Sequence, residues 1–215
     1  MTTLLVKERI VKSRDRVRAY GEVFTPRHMV DEMLDLVSED LEDGPDFVDK
    51  TFLEPAAGDG NFLVAILQRK LRAIENRVAP EAWADESLFA LASIYGIELL
   101  KDNHEDARAA MVAEFVGFHA RHDTPHGLDA DLIRAASFLI DTNIIRGNTL
   151  TGRDWRGADI QFSWWTRLPN AAGMVQREPF SLASLRESNA FDFTVYDTYA
   201  VCRIDRVHEE VRAGA

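Results

Sequence analysis

The sequence predicts an α/β fold around a mostly parallel sheet, on three observations. Short apolar runs at 51–53, 93–98 and 143–146 read as buried strands. Longer segments with helical spacing lie between them. The first run passes straight into Gly58-Asp59-Gly60 and then into a helix. Parallel strands need crossover connections of a dozen or more residues, and helices of this length supply them.

The elements follow in order. Residues 1–19 form a basic N-terminal arm ahead of a single domain at 20–215. The arm reads as an amphipathic helix, with Leu4, Leu5, Ile10, Val11 and Val17 turned inward. Thr25-Pro26 opens the next helix, with Thr as the N-cap and Pro in the first turn. Met29, Val30, Met33, Leu34 and Val37 fall on one face of it. The acidic stretch to Asp49 ends that helix in a loop punctuated by Gly44-Pro45. After the glycine turn, Phe62, Leu63, Ile66, Leu67, Leu71 and Ile74 share a helical face, and Pro80 lies past its end. A helix over 99–115 follows the second strand, with Ala107, Ala110 and Met111 inward. Then come a polar loop at 117–129, a helix at 130–140 and the third strand. A fourth strand is expected at 158–163. Beyond it, Phe191, Phe193 and Val195, then Tyr199, Val201 and Ile204, suggest one or two β segments.

At 215 residues the chain can bury about 70% of its unfolded surface without metal or disulfide staples. Cys202 is the single cysteine, so no internal disulfide forms. With no signal-peptide pattern and no charge-free run longer than 87–97, the expected setting is the cytoplasm, with no membrane partner. Net charge is −11, the wrong sign for a protein that coats nucleic acid. Residues 1–20 nevertheless carry six basic and two acidic groups, leaving −15 on the remaining 195. Such an arm could touch phosphate, or it could be a solvated helix face.

The strand–glycine turn–helix is the strongest chemical signal. Glycines there permit a sharp turn and let a ligand approach the backbone and the helix N-terminus. The third glycine of the dinucleotide fingerprint is missing, because Leu63 stands in its place. Glu98 closes the second strand 40 residues after Gly58, later than the roughly twenty of an NAD site. It can accept hydrogen bonds from ribose hydroxyls, or cap the helix that follows. His119, His122 and His126 lack regular metal-ligand spacing and read as a solvated loop, so no metal is expected. Ser137, Ser181 and Ser184 show no nucleophile elbow, and Cys202 reads as a small buried hydrophobe.

Four segments in order resemble the amino-methylating DNA methyltransferases, the adenine type in particular. Gly21-Glu22-Val23-Phe24-Thr25-Pro26 is similar to their N-terminal motif. Leu53-Glu54-Pro55-Ala56-Ala57-Gly58-Asp59-Gly60-Asn61-Phe62 is similar to their principal cofactor loop. Ile94-Tyr95-Gly96-Ile97-Glu98 resembles the second strand, and Ile145-Arg146-Gly147-Asn148-Thr149-Leu150 the third. The resemblance spans 20–150. It implies a Rossmann-like class I methyltransferase core and S-adenosylmethionine as cofactor. It also implies site roles. Phe24 and Thr25 would flank the methionine end, and Glu54 would orient its amino group. Ala56, Gly58 and Gly60 would let the backbone lie along the cofactor. Glu98 would hold the ribose, and Asn148 would accept from the adenine amino group through its amide oxygen.

The chain departs from that family after the fourth strand. An Asn-Pro-Pro-aromatic turn is expected there, holding the extruded base. The prolines stand at 26, 45, 55, 80, 125, 169 and 179, none adjacent. Trp164 or Trp165 could stack on a base, or be core residues. About fifty residues remain, too few for the complete sheet, so the core is expected to be truncated. The catalytic residues therefore stay unassigned. The expected function is a cofactor-binding DNA adenine methyltransferase, or a descendant that turns over poorly alone. Two readings compete: a catalytically silent cofactor-binding or decoy protein working through a restriction–modification or repair partner, and a methyltransferase for a non-DNA substrate.

Overall fold

Three parallel strands form the main sheet: β1 (Phe52–Glu54), β2 (Ile94–Glu98) and β3 (Ile144–Asn148), side by side in that order. The computed structural model describes residues 10–122, 129–188, 199–209 and 211–212. Phe52 is registered with Ile94, and Gly96 with Ile144. A short antiparallel strand, β4 (Arg153–Asp154), folds back on β3. A second, antiparallel sheet joins β5 (Gln161–Arg167), β6 (Met174–Ser181) and β7 (Cys202–Arg203).

The helices are α1 (Arg14–Tyr20), α2 (Arg27–Asp35), α3 (Asn61–Arg77), α4 (Trp83–Ala92), α5 (Lys101–His122), α6 (Ala130–Asn143) and α7 (Leu182–Ser188). In α3 the expected apolar stripe is buried, including Leu63, Ile66, Leu67, Leu71 and Ile74. It packs on the sheet so closely that a Cβ at Gly96 would lie 3.1 Å from a Leu63 methyl. Neighbouring strand positions point to opposite faces. Tyr95 accordingly faces the second sheet, donating to the Ser163 carbonyl at 2.8 Å and meeting Phe162 edge-on.

Lys70, on α3, is fully buried. Its ammonium donates to the carbonyls of Phe47, Val48 and Lys50 and sits 2.8 Å from the Ser93 hydroxyl. One side chain thus ties the loop leading into β1 to the start of β2. Burial pushes the Lys70 ammonium down to about 7, with Asp49 opposing.

Several expectations change. β1 is an edge strand with Leu53 43% exposed, because β2 covers only one side of it. Pro26, not Thr25, is the N-cap of α2, without a side-chain cap bond. That helix buries Val30 and Leu34 and leaves Met29 and Met33 exposed. α1 buries no residue, and Ile10 is exposed. α5 runs on through His122, so 117–122 is helical rather than loop. Buried His119 lies 3.0 Å from the Ser87 hydroxyl, and burial pushes its imidazole down to about 4. The strand expected at 158–163 starts only at Gln161 and runs on through Trp164 and Trp165 to Arg167 as β5, antiparallel to β6 in the second sheet. At the far end Tyr199 bridges Arg212, β7 carries the half-buried Cys202, and Ile204 begins a 3₁₀ turn. The N-terminal residues Leu4 and Leu5, His126, and Phe191, Phe193 and Val195 lie outside the described residues.

Candidate functional site

A cleft of about 340 Å³ opens where the carboxyl ends of β1, β2 and β3 meet the segment at 20–25. Its floor is the glycine turn. Gly58 and Gly60 have φ of +58° and +97°, a region that glycine enters without the Cβ penalty. Both missing side chains face protein. A Cβ on Gly58 would lie 3.1 Å from the Phe24 ring, and one on Gly60 would lie 2.9 Å from the Ala107 Cα. The glycines therefore serve the packing of the turn between Phe24 and α5. The open side of the turn faces the cleft.

Six of the eight residues expected at the site line this cleft: Phe24, Thr25, Ala56, Gly58, Glu98 and Asn148. Glu54 and Gly60 do not. Glu54 curls back to accept the Ala56 N–H at 3.0 Å, and burial pushes its carboxyl up. Gly60 is turned toward α5. Thr25 gives its carbonyl to the Asn61 side chain at 3.3 Å.

Glu98 binds the site together. One oxygen accepts the Gly58 N–H at 2.8 Å, and the other accepts the Leu100 N–H at 2.8 Å. Asn103 adds a third donor at 3.4 Å. Burial pushes the Glu98 carboxyl up, these donors oppose the shift, and the Glu22 charge adds to it. Asn148 is committed differently from expectation. Its Oδ1 accepts the backbone N–H groups of Leu150 and Thr151 at 2.9 and 3.3 Å. What it offers a ligand is therefore its amide N–H, a donor, not the acceptor oxygen.

Three carboxyls line the cleft, Glu22, Asp59 and Glu98, and no lysine or arginine does among the described residues. Such a lining favours a cationic or hydroxyl-bearing ligand and repels a pyrophosphate. Glu22, Asp59 and Asn103 are not among the residues that sequence reasoning singled out. Acids beside glycine turns are common on surfaces, and only the fold brings these three together.

The expected arm contributes through two of its cations. Lys12 pairs with Asp102 and Asp106 at 3.2 and 2.7 Å, and Arg16 pairs with Asp102 at 2.6 Å and with Glu22. Arg16 ties α1, and Lys12 the residues just before it, to the start of α5. At the other end, Trp165 is buried and donates its indole N–H to Asn143 at 3.0 Å, which takes it out of any base-stacking role. No helix among the described residues is long and apolar enough to cross a membrane.

The fold is a mixed α/β one, with an open cleft across the carboxyl ends of three parallel strands. The family follows from the sequence comparison: residues 45–159 match the model described as MmeI, DNA-methyltransferase domain, and the chain belongs to that family. The match takes in β1, the glycine turn, β2, β3 and the β4 hairpin. No curated protein and no solved structure matches.

Proposed function

We propose that the cleft binds S-adenosylmethionine and that the chain is the cofactor-binding part of a DNA adenine methyltransferase with a Rossmann-like core. One observation carries the reading: a glycine turn held by Glu98 opens onto a cleft lined by Asp59, Glu98 and the Arg16-paired Glu22, with no basic residue in the lining. This lining suits a ligand with a sulfonium, an ammonium and a ribose, and it argues against a dinucleotide. The family match supports DNA as the substrate.

Each residue has a task in this reading. Gly60, the N-cap of α3, brings no side chain to the helix N-terminus, which suits a ligand carboxylate there. Asp59 has a buried oxygen without a partner and would accept from the ammonium. Glu98 keeps lone pairs for ribose hydroxyls beyond its two backbone bonds. Asn148 would donate to a ring nitrogen of the adenine rather than accept from its amino group. When bound, the cofactor supplies a methyl group already activated by the sulfonium. The protein's remaining work is to place the target nitrogen in line, where about 1 Å of misplacement can cost a hundredfold.

That placement is where the chain is weakest. Trp165 is used by the core, and the sequence holds no adjacent prolines to fix a base-holding turn. This favours the second reading, a cofactor-binding chain that transfers methyl groups poorly without a partner. Incubation with radiolabelled S-adenosylmethionine and unmethylated DNA tests both. Retained label on the protein with little or no label on DNA supports the proposal. Efficient labelling of adenine would assign it full catalysis, and label on neither would remove it.

A further inference from the structure

Glu22, like Asp59, is a cleft acid whose partnering is incomplete. Its side chain is 6% exposed and it lines the cleft. Arg16 holds one carboxylate oxygen. The other, Oε1, is buried and has no hydrogen-bond partner. A buried carboxylate oxygen without a donor costs on the order of 1–3 kcal/mol, so it marks a place where something else is expected to bind.

Its position says what. Arg16 reaches from Glu22 to the Asn103 side-chain oxygen at 3.2 Å, and the Asn103 amide reaches on to Glu98 at 3.4 Å. Glu22 therefore stands at the Glu98 end of the cleft, above β2. The Glu22 charge is felt at Glu98, where it helps push that carboxyl up. A cationic ligand group is not required here, because Arg16 already balances the Glu22 charge. What Oε1 lacks is a neutral donor. Two carboxylates at one end of a cleft suit a pair of adjacent hydroxyls, one for each acid.

We infer that Glu22 is a second acceptor for a vicinal diol, sharing the two ribose hydroxyls of the ligand with Glu98, and that Arg16 is its positioning residue. The inference rests on the S-adenosylmethionine reading and adds a residue and a specificity to it. It also makes α1 part of the ligand site.

The test is calorimetric titration of the full chain with S-adenosylhomocysteine and with its 2′-deoxy and 3′-deoxy forms. Glu22→Ala should weaken S-adenosylhomocysteine about tenfold or more, the range of a charge-assisted hydrogen bond. Against one of the two deoxy ligands the same variant should lose almost nothing, because that partner hydroxyl is already gone. Glu22→Gln keeps the shape and serves if the alanine variant folds poorly, with about a threefold loss expected on the same pattern. Unchanged affinity in the variants overturns the inference, and so does an equal loss for all three ligands, which would report packing alone. Wild-type protein that binds none of the ligands would overturn the cofactor reading along with it. Wild-type binding with normal variants would overturn only the role of Glu22.

Discussion

Glu98 accepts the Gly58 N–H at 2.8 Å, so the acid ending β2 holds the turn that ends β1. Its second oxygen takes the Leu100 N–H, and the two bonds need two acceptor atoms. Glu98→Gln can supply only one. It should therefore unfold at lower urea, by about 1–3 kcal/mol, and lose most of the affinity for S-adenosylhomocysteine. Urea melts and calorimetry check both effects. A glutamine variant as stable as wild type would mean that the turn stands without Glu98.

Two of the positive-φ glycines, Gly60 and Gly21, have contrasting surroundings and make a paired test. Gly60→Ala would put a methyl 2.9 Å from the Ala107 backbone at φ +97°. Gly21→Ala meets nothing within 4 Å at φ +67°. The first should cost several kcal/mol, through backbone strain and displacement of α5. The second should cost about 1–2 kcal/mol, through strain alone. Equal losses in thermal melts would contradict the packing of α5 on the turn.

Lys70 gives the stability a pH dependence. Its folded-state value of about 7 lies below the unfolded 10.5, so between these limits the unfolded chain holds more protons. Stability from this group therefore rises as pH climbs from about 7 toward 10.5, by up to about 1.4 kcal/mol per pH unit. Lys70→Met should flatten that slope. It should also destabilise the protein by about 3 kcal/mol, because three buried carbonyls lose their donor. Urea melts at pH 6.5, 8 and 9 read both.

Lys12 and Arg16 are committed to Asp102 and Asp106. Replacing both by Gln should leave the salt dependence of DNA binding unchanged, since each phosphate contact would contribute about 0.9 to the log–log slope. A slope reduced by one or two units would return these cations to DNA.

How far these features could be read in the sequence follows from their range. The three parallel strands and the glycine turn were legible because β-branched runs and G-x-G are local signals. α4 was not. Ser87 to Ala92 is buried throughout, so it shows no amphipathic period to distinguish helix from strand. Six of the eight residues expected at the site line one cleft, since four of them follow or end the parallel strands and Phe24 and Thr25 lie in the short segment packed over the glycine turn. Glu22 was missed because its burial depends on Arg16 and on α5, about eighty residues on. The Asn148 oxygen turns back on the Leu150 and Thr151 N–H groups, a local bond that the sequence alone does not distinguish from a ligand contact. Trp165 could not be assigned before its partner Asn143 was known.

The central claim is that the cleft over Gly58 and Glu98 takes S-adenosylmethionine and not a dinucleotide. Titrating the purified chain with S-adenosylhomocysteine and with NAD, by calorimetry, tests it most directly. One site in the micromolar range for S-adenosylhomocysteine is expected, about −8 kcal/mol, lost in Gly58→Val, with no binding of NAD. Binding of NAD, or no heat from S-adenosylhomocysteine in a folded sample, would contradict it.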